Sequence, residues 1–427
     1  MRHLAGKYLV MKKFLYIPLF LLLLTFNSSY AQLNEVKSPI SSKELFKIDS
    51  LFKQYLDSGW IKGITANIAV DGKTLYNKAY GNQLNRPFKT DDILRIASQT
   101  KAMTCVAVMM LFDEGKFTLD DPISKFIPAF KNPKVLDKYN KKDGSYTTVP
   151  AKREITIRDL LTHTSGLGYA QIGSPEMNAI YAKAGIEAGF VIHKKLLETE
   201  INKLGKLPLA LQPGEKWQYS LAMDVLGRLV EVTSGLSLDQ FFRERIFRPL
   251  EMNDTYFALP KEKQDRLATV YTEDKTTKTV KPWVDGAFPG ATVNYPINNN
   301  GYFAGGAGLV STSTDYGLFL QMLLNNGELN GKRILSKRSV DLMTTNQIGS
   351  IPFGDNYFGL GFEVISDKGS KKLGQSVGSY GWGGFFGSNF WVDPKKKVVA
   401  QIYVQQWPLS HGKLSEQFKS LVYQAIR

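Results

Sequence analysis

Ser98 and Lys101 stand three residues apart in "RIASQTKAMTCVAVMMLFDEG", the stretch from Arg95 to Gly115. Residues spaced this way on a helix share a face, with Cβ atoms about 5 to 6 Å apart, so a hydroxyl and an amine can meet. Serine is a poor nucleophile until a base takes its proton, and an amine held out of water beside it can be that base. The helix read from Ser98 to Glu114 carries apolar or small residues nearly all round, the pattern of a buried helix, and Gly115 stops it. A cation in its first turn faces the positive end of the macrodipole, where Glu or Gln at 101 would complete a capping box with Ser98. Lys101 is the wrong residue for stability, which points to selection for something else. As a bare pattern S-x-x-K is common, and a capping serine beside a solvated lysine is its plain reading.

A second serine competes. "GQSVG", Gly374 to Gly378, matches G-x-S-x-G and nominates Ser376, but that motif requires a strand, a sharp turn and then a helix. Glycines and further strand pattern follow it here, so Ser376 reads as a loop residue. Its triad histidine would have to be His411, or less readily His163 or His193; His163 reads as part of an "HTSGL" turn. The four histidines are scattered and the one cysteine has no ligand partner, so no metal or other cofactor is expected. "AGGAG", Ala304 to Gly308, lacks the lysine context of a phosphate-binding loop.

The elements that must position these residues come from both ends of the chain. Ser41 to Asp57 has helical spacing, with Leu45, Ile48, Leu51, Phe52 and Tyr55 on one side. "ITANIAV" and "TLYNKAY" flank Asp71-Gly72, a strong hairpin signal. Near the C-terminus follow "YFGLGFEVI", "GGFFGSNFWV" and "KVVAQIYVQQ", then an amphipathic helix from Lys413 to Ile426. These five runs predict one antiparallel sheet, with residues 98 to 336 as a long, mainly helical excursion. The segment from Tyr169 to Leu211 is the least patterned and reads equally as a rim over a site or as a plain surface insertion.

Met11, Lys12 and Lys13 precede an apolar run from Phe14 to Phe26 and the small-x-small site Ser29-Tyr30-Ala31, the form of a secretory signal peptide with Met11 as the better initiator. The run is short for a bilayer, which favours cleavage near Ala31 and a secreted or periplasmic product without a stable membrane span. Cys105 lies inside the buried helix, so no intrachain disulfide can form. The formal charge is +15, but the basic residues are scattered, and Lys395-Lys396-Lys397 after Asp393-Pro394 reads as a hairpin turn; no nucleic-acid partner is expected.

Taken in order, "RIASQTK", "LLTHTSGL" (160 to 167), "PGEKWQYS" (213 to 220), "GGAGLVSTSTDYGLFLQMLLNNGELNG" (305 to 331) and "YGWGGFFGSNFWVDP" (380 to 394) resemble the serine beta-lactamase-like superfamily. The resemblance runs from about Leu45 to the C-terminus and is greatest to the class C-related branch called family VIII carboxylesterases. It implies an α+β beta-lactamase/transpeptidase-like fold: a single domain over 41–427 after a signal peptide at 1–31 and a leader at 32–40. The sheet would come from 41–97 and 337–427, the helical region from 98–336. It implies Ser98 as nucleophile, Lys101 as base partner and Tyr219 as proton relay, with the backbone N–H groups of Ser98 and Phe385 forming an oxyanion hole. The family's Lys-Thr-Gly falls on Trp382-Gly383-Gly384, and Leu221 replaces the asparagine of Tyr-x-Asn. Both departures remove groups that hold a lactam or a peptide terminus, leaving a more apolar substrate site suited to a small-molecule ester. The expected function is thus an exported serine hydrolase cleaving carboxylic esters through an acyl-enzyme. The alternatives are a beta-lactamase, a D-amino-acid peptidase or transacylase acting on cell-wall material, and an inactive peptidoglycan or peptide binder.

Overall fold

The computed structural model describes residues 41–426 apart from 188, 193, 194, 275, 289 and 300. The expected signal peptide, the leader and His193 lie outside the described residues. The main sheet has seven strands: β1 (Gly63–Val70), β2 (Lys73–Gly81), β3 (Tyr357–Phe358), β4 (Glu363–Val364), β5 (Tyr380–Gly384), β6 (Ser388–Asp393) and β7 (Val398–Tyr403). Their order is β3-β4-β5-β6-β7-β1-β2, with every neighbouring pair antiparallel. The helices that position the site are α1 (Ser42–Asp57), α2 (Thr100–Asp113), α3 (Ala222–Ser234), α4 (Ser313–Leu324) and α5 (Leu414–Ala425).

Asp71 and Gly72 take φ of 50° and 76°, the paired positive values of a two-residue turn whose twist suits a hairpin, and join β1 to β2. All eight residues of β1 are buried because helices cover both faces of the sheet. On one face Ile64, Ala66 and Ile68 pack with Ile48 and Phe52 of α1 and Phe418 of α5. Each of the isoleucines and phenylalanines contributes roughly 1.5 to 3 kcal/mol on full burial, which pins α1 to the sheet without any side-chain cap at Ser41. On the other face α4 is fastened by Gln401 Nε2, which donates to Ser313 O at 3.1 Å, and by Tyr316 against Phe390 at 5.3 Å. Tyr316 OH also donates to Gln99 O at 2.9 Å, tying α4 to the turn that carries Ser98. α2 runs through the largest apolar cluster beside α3, where Cys105 Sγ lies 3.5 Å from Met223 Sδ and burial pushes the thiol pKa up.

Five expected strand runs became seven strands, for local reasons. "YFGLGFEVI" folds back on itself around Gly361, whose φ is +90° and whose Cβ would lie 2.4 Å from Cys105 Sγ, so the fold needs glycine there. "GGFFGSNFWV" turns at Phe385 to Gly387 and pairs β5 with β6. The helix expected from Ser98 opens as a 3₁₀ turn over Ala97–Gln99 before α2 begins. The unpatterned segment holds helices at Pro175–Lys183 and Leu197–Leu204, and Lys395 to Lys397 do form an exposed turn between β6 and β7.

Candidate active site

The chain reaches Ser98 through a strained residue. Ala97 has φ +47°, a left-handed conformation that costs a non-glycine residue on the order of 1 kcal/mol or more and persists only where neighbours over-determine it. They do so two residues earlier. Gln405 accepts from Arg95 N at 2.9 Å and donates to Arg95 O at 3.0 Å, while the buried guanidinium donates to Val293 O at 2.6 Å and Ala268 O at 2.7 Å. Ile96 N then donates to Leu309 O at 3.3 Å. The backbone is thus held on both sides just before it presents Ser98.

Ser98 Oγ lies 2.6 Å from Tyr219 OH and accepts from Lys101 Nζ at 3.2 Å. Lys101 is 1% exposed and gives a second hydrogen bond to Gly306 O at 2.6 Å, with its Nζ 4.5 Å from the Tyr219 ring centroid. The three side chains predicted to share the chemistry are therefore in mutual contact. Tyr219 precedes α3, and its ring stacks between Tyr169 at 5.5 Å and Trp382 at 6.1 Å. His163 packs on the same ring at 5.0 Å, and its Nδ1 meets Ser220 Oγ at 3.1 Å. Burial, helped by the charge of Lys101, drives the His163 pKa well below its ordinary value, so it is a neutral turn residue, at φ +57°, that steadies Tyr219.

Sequence reasoning missed a carboxylate beneath this cluster. Asp224, 3% exposed in the first turn of α3, accepts from Gly306 N at 3.2 Å. Burial pushes its carboxyl up to about 6, against the pull of the Lys101 charge and the N–H groups of Gly306 and Gly305. A Cβ on Gly306 would sit 3.2 Å from Asp224 Oδ2 and 3.5 Å from Lys101 Nζ, so the backbone here is threaded between the two side chains. The available signal was an acidic residue inside the apolar run Ala222, Met223, Val225 and Leu226, all of them buried.

Ser98, Tyr219 and Phe385 line two cavities at once. The larger, about 390 Å³, extends past Trp382, Gly383 and Gly384 along β5; the smaller, about 50 Å³, lies against Tyr169, Phe190 and Phe288. Gly384 is required by close approach: a Cβ there would meet Ile96 O at 2.5 Å and Ser388 Oγ at 2.3 Å. Leu221 does not join the group. It is 2% exposed in the apolar core and forms no part of either cavity wall, because the turn into α3, held by Leu221 N donating to Gly168 O, directs it inward.

Ser376 stands outside the cluster, after a helix at Asp367–Leu373 and before β5, the reverse of the order its motif needs. Its N–H donates to Asp393 Oδ2 at 3.1 Å, and His411 stacks on Trp60 at 3.9 Å. Among the described residues, no group of three or more His, Cys, Asp or Glu side chains could hold a metal ion, and no helix is long and apolar enough to cross a membrane.

Comparison with known proteins gives the cluster its context. Residues 48–420 match the family model described as Beta-lactamase. Protein Rv1367c of Mycobacterium tuberculosis (strain ATCC 25618 / H37Rv) is 32% identical over 372 residues, covering 83% of this chain and 88% of the relative. Esterase EstB of Burkholderia gladioli is 30% identical over 361 residues, covering 81% and 86%. Among solved structures, EstCE1, a hydrolase with promiscuous acyltransferase activity, superposes with a TM-score of 0.77 at 27% identity, covering 89% of this chain and 99% of that one. Fold, match and relatives agree: the chain belongs to the beta-lactamase family.

Proposed function

We propose that this protein is a serine carboxylesterase that works through an acyl-enzyme on Ser98. It is a serine hydrolase, and the observation that carries the ester reading is a single hydroxyl hydrogen-bonded to the Tyr219 oxygen and to the buried Lys101 nitrogen where two cavities meet. Ser98 Oγ attacks the ester carbonyl carbon while its proton passes to the Tyr219–Lys101 pair. The backbone N–H groups of Ser98 and Phe385 receive the oxyanion, the bond to the alcohol breaks, and Tyr219 returns the proton to the leaving oxygen. Water then attacks the acyl group along the same proton path and releases the acid. Trp382, in place of a lactam-orienting lysine, gives the site an aromatic wall that suits esters, and relatives named as esterase and hydrolase support the class. A signal peptide processed near Ala31 would deliver the enzyme to the periplasm or the medium.

The test is hydrolysis of 4-nitrophenyl acetate by purified variants. Ser98→Ala is expected to lose at least about a thousand-fold in kcat/KM with its melting temperature preserved, and Ser376→Ala to keep most of the activity. The opposite pair of results would move the nucleophile to Ser376 and end this reading.

A further inference from the structure

The two cavities that meet at Ser98 differ in size and chemistry, and an ester has two sides to place. The smaller is walled by Tyr169, Ile172, Phe190, Phe288 and Ala291, with Gln171 contributing an amide. A water needs roughly 10 to 15 Å³ of such space, so about 50 Å³ admits only a few heavy atoms, an acyl chain of about two to four carbons. The larger cavity begins at the same serine and has an indole wall, Trp382, along glycine-rich β5. Glu363, Gln375 and Lys419 also line it, and the ester chemistry uses none of them.

These three form an organised polar group. Lys419, half-buried on α5, donates to Gln375 Oε1 at 2.9 Å, and its Nζ lies 5.2 Å from the Trp391 ring. Burial weakens its hold on its proton, opposed by Glu363 and Glu416. Glu363 faces Gly381 across the β4–β5 pair, and its Oε1 accepts from Asn356 Nδ2 at 2.6 Å. Glycine at 381 leaves no side chain at that register position, and a Cβ there would meet Phe390 O at 2.3 Å.

A hydrocarbon in this cavity would take water from the remaining donors of Lys419 and acceptors of Glu363 without replacing its hydrogen bonds. A carboxylate drawn to Lys419 would also face the repulsion of Glu363. A neutral polyol meets neither penalty, since each hydroxyl both donates and accepts and a sugar ring's C–H face can lie on an indole. Building on the ester reading above, we infer that the substrate is an O-acylated carbohydrate: a short acyl group enters the small apolar cavity, and the sugar is the leaving alcohol, held between Trp382 and the Glu363–Gln375–Lys419 group. Ser98 takes the acyl group, the sugar oxygen leaves with a proton from Tyr219, and water releases the short carboxylic acid.

The experiment compares 6-O-acetylglucose with cyclohexylmethyl acetate, an ester of similar ring size without the hydroxyls. Wild type is expected to favour the sugar ester at least tenfold in kcat/KM, and Lys419→Met and Glu363→Gln to bring that ratio close to one. A variant that merely folds poorly lowers both rates and leaves the ratio, so a ratio preserved in both variants overturns the assignment of this group. Equal rates in wild type overturn the sugar itself while leaving the esterase intact. No turnover of either acetate, or of 4-nitrophenyl acetate, overturns the ester reading and this inference with it.

Discussion

At the scale of single residues, Asp224 is the group whose titration the site cannot ignore. It faces Lys101 across Gly306, and it also couples to the buried phenols of Tyr169 and Tyr302, whose pKa values burial raises well above the ordinary phenol range. Its carboxyl moves from an ordinary 3.8 to about 6 on folding. A raised carboxyl contributes stability that is fully present below about pH 4 and is lost as pH rises through 6, a change on the order of 3 kcal/mol. Asp224→Asn lacks this titration. The stability difference, wild type minus variant, should therefore shrink between pH 4 and pH 6 and stay level above, which melting curves at pH 4, 5, 6 and 8 would check. A difference that grows with pH would mean attraction to Lys101 outweighs burial. The same protonation removes a negative charge facing Lys101, so an acidic limb of kcat/KM near pH 6 is expected in wild type and absent in Asp224→Asn.

At the scale of elements, the site is a place where a strand end meets a helix start, and Gly384 sets how closely. Gly384→Ala is expected to cost about 1 to 3 kcal/mol of stability and at least tenfold in kcat, because the new Cβ collides with Ile96 O, two residues before the nucleophile. Adding Ser388→Gly removes only the side-chain half of the clash, so the double variant should stay impaired; full recovery would show that Ile96 gives way easily. The elements also mark what a sequence can say. The Asp71-Gly72 turn, the terminal helices and the S-x-x-K spacing were legible because each is a local pattern. The meeting of Tyr219 with Ser98 was legible only through resemblance, since residues that far apart carry no periodicity linking them. Asp224 stayed hidden because a lone acid in a helix normally reads as solvent-facing, and the splitting of two strand runs depended on Cys105 and other tertiary neighbours. Leu221 was assigned to the substrate by its place in a motif, but the turn into α3 sends it to the core.

At the scale of the whole molecule, the described ends of the chain meet. Ser41 N donates to Ala425 O at 2.9 Å, and α1 and α5 share one apolar cluster against the sheet. A circular permutant that links these ends and opens the exposed turn between Asp143 and Gly144 is expected to keep its melting temperature within about 5 °C and most of its esterase activity. Its loss of fold, seen by circular dichroism, would mean that the native chain order is needed for more than contacts. That order has a consequence in time. β1 is made long before its partner: one of its two edges, from Thr65 to Val70, waits for Tyr403 to Val398. Until then the hairpin of β1 and β2 has an open edge, and the nascent protein has no finished sheet on which to close. The pairing of longest range, β7 on β1, is therefore the one that joins the two parts of the sheet, and the site on β5 is finished only once residues from far apart in the sequence have met.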